Sequence, residues 1–242
     1  MDIKIIANPR KPWAKEIAHE VSAVLRRVHR IVKTGADATI CIGGDGTILF
    51  ANHQHRLEGP VLGIGGAKSY VCQLSKKSWR GRILGILRKN RTVRTMTLDA
   101  RIGKKRYSAL NDFVVHATHF RVAEISVATS SGRKKRLFSF EGEGVIASTA
   151  LGSAAYAYSA GGIKMAPLQR KISIVPICPY KRAFLPSVLP EKGKANITAG
   201  RDCAFIVDGI YVRRLKKGEV VRIGKGRDMR FFEGVGVHDW QG

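Results

Sequence analysis

The stretch Cys41-Ile42-Gly43-Gly44-Asp45-Gly46-Thr47-Ile48-Leu49-Phe50 sets an apolar run directly against three glycines and one carboxylate. Residues 38–43 ("ATICIG") read as a short buried strand. From Thr47 a helix can run to about Leu57, where Gly59-Pro60 breaks it. Strand, glycine loop, helix is the arrangement that bares backbone N–H groups to an anion. A fixed negative charge in that loop repels the anion. Either Asp45 is the N-cap of the helix, or its carboxylate has chemistry to do beside bound phosphates. It would then take a proton from an attacking hydroxyl or steady a nucleotide's metal ion. Spacing alone leaves both readings open.

Working outward, the first half alternates strand and helix. "IKIIAN" (3–8) is an apolar strand ended by Asn8-Pro9. Over 12–30, Ile17, Val21, Val24, Leu25 and Val28 recur at helical spacing behind Pro12, and "VLGIGG" (61–66) is a third strand. Ser78 is placed to cap a helix carrying Trp79, Ile83, Ile86 and Leu87. Short links between such elements predict a parallel sheet.

After about Arg94, short β-prone runs take over: "TMTLDARI", "FVVHAT", "ISVAT", "RLFSF", "KISIVPIC", "AFIVDGIYV" and "EVVRIG". Ser131-Gly132 and Asp208-Gly209 are hairpin signals, and Lys217-Gly218 is a further turn. The expected fold class is therefore α/β plus β-rich. An N-terminal α/β domain with a parallel sheet spans 1–94, and an all-β-like domain spans 95–225. The tail, 226–242, is expected to return to the first domain.

Composition narrows the partners. Among 242 residues, 43 Lys plus Arg face 18 Asp plus Glu, for a formal charge of +25. That balance favours polyanions such as nucleotides or polyphosphate. The basic residues are dispersed and aromatics are only 7%, which gives no stacking platform for specific nucleic-acid binding. The four cysteines lie far apart, without a C-x-x-C pair, and read as buried thiols. The pairs His53/His55 and His116/His119 give no reason for a metal site. No apolar run reaches membrane-spanning length, and "MDIKIIANPR" lacks a signal h-region, so a cytoplasmic protein is expected.

The loop is not a P-loop, since GxxxxGK[ST] is absent, and "GIGGAK" (63–68) carries Lys68 where a dinucleotide motif needs glycine. "GGDGT" instead resembles the signature of the NAD kinase family and its wider superfamily of lipid and sugar kinases. "ALNDFVV" (109–115), "EGEGVIASTALGSAAYAYSAGG" (141–162), "SIVPICP" and "FIVDG" are similar to that family's later motifs, in order. The resemblance implies an α/β domain and a β-rich domain with the active site between them. It also implies transfer of a phosphoryl group from ATP or polyphosphate, with Mg²⁺, to the 2′-hydroxyl of the adenosine ribose of NAD.

Carried onto this chain, the resemblance makes Asp45 the general base and Gly43, Gly44, Gly46 and Thr47 the phosphate loop. Asn111 and Asp112 would hold the ribose and phosphates, and Glu143, Ala155, Tyr156 and Ser159 would line the dinucleotide pocket. A homo-oligomer, dimer or tetramer, is implied as well. The chain departs from the family pattern at Glu143 (usually Asp), Ala150, Leu151, Ala154 (usually Thr) and Gly65 (usually Asn). These departures leave open a kinase of this fold acting on a nucleoside, sugar or polyol, and the +25 charge alone motivates a third reading, a non-catalytic nucleic-acid binder.

Overall fold

The computed structural model describes residues 1–119 and 121–233. The chain divides into two compact units: Met1–Thr95 joined by the segment from Met229, and Met96–Asp228. Among the described residues no helix is long and apolar enough to cross a membrane.

The first unit contains β1 (Asp2–Ala7), α1 (Pro12–Leu25), β2 (Arg30–Ile31), β3 (Ala38–Ile42), α2 (Asp45–His53), β4 (Val61–Gly65), β5 (Leu74–Ser75) and α3 (Ile83–Lys89). Strands β5, β4, β3, β1 and β2 pair in parallel. Every residue of β3 and β4 is buried, as expected for apolar runs in a sheet covered on both faces. Helix α1 opens on Pro12, whose fixed φ suits a first turn, and buries Ala14, Ile17, Val21 and Leu25 along one stripe.

That helix stops earlier than its periodicity predicts, and Val28 is left 61% exposed. Arg30 and Ile31 are taken up instead as a strand beside Asp2 and Ile3. The expected Ser78 cap is also absent. The Ser78 hydroxyl bonds to Ser75, and the helix begins only after Arg82. Trp79 is nonetheless buried, in the turn before the helix.

The second unit is built from β6 (Thr92–Ile102), β7 (Lys105–Ala109), β8 (Asp112–Ala117), β9 (Ala123–Ser131), β10 (Lys134–Gly142), β11 (Gly144–Thr149), α4 (Tyr156–Ser159), β12 (Lys171–Ile177), β13 (Ser187–Pro190), β14 (Lys194–Ala199), β15 (Cys203–Val207), β16 (Ile210–Leu215) and β17 (Val220–Phe232). The chain crosses between units within β6 and again within β17. One sheet runs β13-β12-β11-β8-β15-β16, antiparallel throughout. Antiparallel β10, β9, β14 and β17 belong to the other sheet.

One apolar core draws on both sheets, with Phe113 stacked on Phe205 and Tyr107 edge-on to the same ring. Both predicted hairpins form: Gly132 joins β9 to β10, and Asp208-Gly209, both at positive φ, joins β15 to β16. Residues 152–162 do not form one helix. A 3₁₀ turn at Gly152–Ala154 and a single α-turn at Tyr156–Ser159 meet at Ala155. Three cysteines are buried as expected, but Cys178 is exposed, at positive φ where β12 ends. Of the tail expected to return, 226–233 is described and its last residues pair with the first unit, Phe231 beside Val61; 234–242 lies outside the described residues.

Phe205→Ala removes a fully buried ring from this core and should destabilise the protein by about 3–5 kcal/mol, read from urea unfolding by circular dichroism. Leu137→Ala, at a side chain 72% exposed, should stay within about 0.5 kcal/mol of the parent.

Candidate active site

The glycine loop lies between β3 and α2. Helix α2 begins at Asp45 itself, and its N-cap is Gly44 at φ 94°. Asp45 is therefore not the cap. Its carboxylate reaches a loop some 25 residues on in sequence. Oδ2 accepts the Tyr70 N–H at 2.6 Å, and Oδ1 accepts those of Val71 at 2.9 Å and Cys72 at 3.2 Å. A carboxylate offers about four lone-pair sites. Two backbone donors fall on Oδ1 and one on Oδ2, and the Cys72 thiol bonds the same carboxylate.

The glycines are there for room. Both the Gly43 and Gly44 amides donate to the Ile64 carbonyl, so neither is free to cradle an anion. A Cβ on Gly43 would lie 2.4 Å from Thr47 Oγ1 and 2.5 Å from Asn8 Cβ. Thr47 is buried and receives the Asn8 amide at 3.4 Å, which ties the end of β1 to the loop. Gly46 is exposed, with open space around it. The N–H groups left for an anion are those of Asp45 and Gly46 in the first helical turn. Beside them, the Lys11 ammonium donates to the Gly43 carbonyl at 2.6 Å. Neither Lys11 nor Asn8 is signalled by the glycine motif; only the Asn8-Pro9 strand end marks the place.

The second unit repeats the Asp45 device. Asp208, in the β15–β16 hairpin, accepts the amides of Leu110 at 2.9 Å, Asn111 at 2.7 Å and Asp112 at 3.1 Å. That fixes the corner where Asn111 and Asp112 sit. The glycine-rich stretch closes on the same corner, because Thr149 bonds Leu110 and Asn111 through its hydroxyl and amide. A Cβ on Gly152 would fall 2.3 Å from the Asn111 carbonyl oxygen, so only glycine fits there. Among the described residues, Asn111 Oδ1 is buried with no hydrogen-bond partner.

Asp112 is 5% exposed, and its carboxyl is pushed up to about 7, first by burial and then by the neighbouring Asp208 charge. Burial also raises the Tyr156 phenol, and the charges of Cys178, Glu143 and Asp112 add to the effect. These groups thus lie within electrostatic reach of one another. Ala155 and Ser159 bracket the same short turn, the Ser159 amide donating to the Ala155 carbonyl. Both are exposed. Leu151 is buried, whereas Ala154 is half-buried. Among the described residues no group of three or more His, Cys, Asp or Glu side chains converges to hold a metal ion.

The α/β unit with its glycine loop and the β-rich unit with its Asn-Asp corner have the fold of NAD kinases. An NAD kinase from Archaeoglobus fulgidus in complex with ATP superposes with a TM-score of 0.84 at 19% identity, covering 100% of this chain and 96% of that one. Yeast NADH kinase complexed with NADH gives 0.87 at 19% identity, covering 100% and 85%. Residues 111–232 match the sequence family described as ATP-NAD kinase C-terminal domain. The NAD kinase of Chlorobium phaeobacteroides is 31% identical over 208 residues, 82% of this chain and 72% of the relative. That of Thermoplasma acidophilum is 30% identical over 229 residues, 92% and 83%. The chain belongs to the NAD kinase family.

Asp112 yields a pH test. Its folded value, about 7, lies above the 3.8 of an ordinary aspartate. Its contribution to stability is therefore fully present below pH 3.8 and is lost as the pH rises through about 7. Asp112→Asn removes that titration. The variant should gain on the parent between pH 4 and 8, by up to the order of 4 kcal/mol, with the difference flat below pH 4. Melting temperatures across that range measure it; a pH-independent difference would mean that Asp112 is not held protonated.

Proposed function

We propose that the chain is an NAD kinase, transferring the γ-phosphoryl group of ATP to the 2′-hydroxyl of the adenosine ribose of NAD to give NADP. Family membership carries this reading, with a relative named NAD kinase 31% identical over most of the chain. The geometry supports it. Asp45, at the first turn of α2 beside the Gly46 amide, is fixed by three backbone N–H groups of residues 70–72, and in this reading its carboxylate is the general base for the ribose hydroxyl. The first-turn amides of Asp45 and Gly46, with the room left by Gly43 and Gly44, take the donor phosphates. Mg²⁺ is carried in on the nucleotide as part of the substrate.

Asn111, with an unpartnered buried acceptor, takes a ribose hydroxyl donor. Asp112, protonated near neutrality, can itself donate to an acceptor on the dinucleotide. Glu143, Ala155, Tyr156 and Ser159 line the rest of the acceptor site in this reading. Polyphosphate is the alternative donor, a homo-oligomer the assembly, and the cytoplasm the location. A second reading, a kinase of another hydroxyl compound, is favoured by Ala154, which has no hydroxyl to offer the adenine side.

Incubation with Mg-ATP and a panel of acceptors, with products identified by mass, tests the substrate; NADP is the expected product. Asp45→Asn should lower turnover by ~10²-fold or more, and wild-type turnover in that variant would leave Asp45 only its loop-holding role. Asn111→Ala should weaken the acceptor by roughly 1–3 kcal/mol in kcat/KM with the KM for ATP little changed. An effect confined to ATP would assign the corner to the other substrate.

A further inference from the structure

Two lysines from separate segments converge on one indole beside the glycine loop. Lys11 Nζ lies 5.8 Å from the centroid of Trp13, and Lys76 Nζ lies 5.9 Å from the same centroid. Lys11 follows β1, and Lys76 follows β5, where its amide donates to Gly65 at 2.8 Å. Among the described residues no carboxylate pairs with either ammonium. Like charges gathered at one ring repel, and the ring face offsets only part of that.

The space next to Lys11 is shaped. A Cβ on Gly44 would stand 3.1 Å from Ser69 Oγ and 3.8 Å from Lys11 Nζ, and Gly44 sits at φ 94°, where side chains are disfavoured. Ser69 Oγ and Lys11 Nζ thus face Gly44 where it carries no side chain, at the end of α2 where two amides have no partner within the helix.

We propose that Lys11 and Lys76, held on Trp13, grip the terminal phosphates of the phosphoryl donor, so that the enzyme recognises a triphosphate chain rather than the nucleoside. This rests on the reading that the glycine loop takes the donor. Lysine suits the task as a compact point charge that follows a mobile phosphate, whereas the planar fork of arginine fixes one bidentate geometry. Lys11 has a second contact, to the Gly43 carbonyl, and so also positions the loop. Lys76 has no bond to the loop, which makes it the cleaner probe.

Calorimetric titration of the full chain with ATP, ADP, AMP and inorganic tripolyphosphate, at one fixed Mg²⁺ concentration, tests the proposal. Each phosphate removed from ATP should weaken binding by about tenfold, with tripolyphosphate bound about as tightly as ATP. Lys76→Met should weaken ATP and tripolyphosphate alike by roughly 5- to 20-fold and leave AMP unchanged, and Lys76→Arg should restore part of the loss. Lys11→Met should act in the same direction. In steady-state assays of both methionine variants the KM for ATP should rise while that for NAD stays.

AMP bound as tightly as ATP, or ATP and AMP weakened equally by Lys76→Met, would overturn the proposal. So would unchanged ATP binding in both variants. The two readings fail separately. Phosphate-chain recognition lost in the variants, in a protein that never phosphorylates NAD, sinks the acceptor assignment alone. Normal NAD phosphorylation with unaltered donor KM in both variants sinks the lysine pair alone.

Discussion

A carboxylate that accepts three successive backbone N–H groups is the interaction on which both halves of this protein depend. Three neighbouring amides converging on one point form a concavity that needs an anion, since buried N–H groups without partners are costly. The chain supplies the anions itself. Asp45 fills the concavity at residues 70–72, and Asp208 fills the one at 110–112. Charge-assisted bonds of this kind are stronger than neutral ones, and each joins segments that local sequence preference could not bring together. The carboxylate in the glycine run is thus a means of closing a loop.

The same economy couples architecture to ionisation in the second unit. Asp208 holds its three amides and stands close enough to raise the Asp112 carboxyl. Placing Asn111 and keeping Asp112 protonated are therefore one structural act. Gly152 completes the corner by letting the glycine-rich stretch come against the Asn111 backbone, an approach that any Cβ would block. Tyr156 then stands on the next turn, 42% exposed, with its phenol among the acidic groups.

What the sequence made legible was periodic or chemical. The strands β3 and β4 are short, largely apolar runs and β1 sets its isoleucines around Asp2 and Lys4; ended by Gly, Pro or Asn, all three were readable as a parallel core. Ser131-Gly132 and Asp208-Gly209 announced their hairpins because only certain residues tolerate positive φ. The strand β11 escaped notice because its small residues, Gly144 to Thr149, belong to a glycine-rich motif and lack alternation. The helix ends at Val28 and Ser78 were misjudged for a common reason: a neighbouring strand or turn claimed the backbone, and no local pattern records that competition. Glycine in the loop suggested bared amides, whereas Gly43 and Gly44 donate theirs to Ile64. Lys11 and Ser69 stand beside the loop only through tertiary packing, which periodicity cannot reveal.

The division of the chain has a consequence in time. The core of the first unit includes Phe232, and Phe231 pairs beside Val61, so this unit is assembled from both ends of the sequence. On a ribosome adding roughly 5–20 residues per second, the first ninety or so residues wait on the order of ten seconds or more for the aromatic pair that seals their sheet. During that interval the Val61 end of β4, beyond its pairing with β5, lacks the neighbour that Phe231 supplies. The intervening unit, contiguous from Met96 to Asp228, draws on the first part of the strand that carries Phe231, with Val221 and Ile223 in its core. Both units therefore close on one strand, β17, and its synthesis is the step on which the folding of each depends.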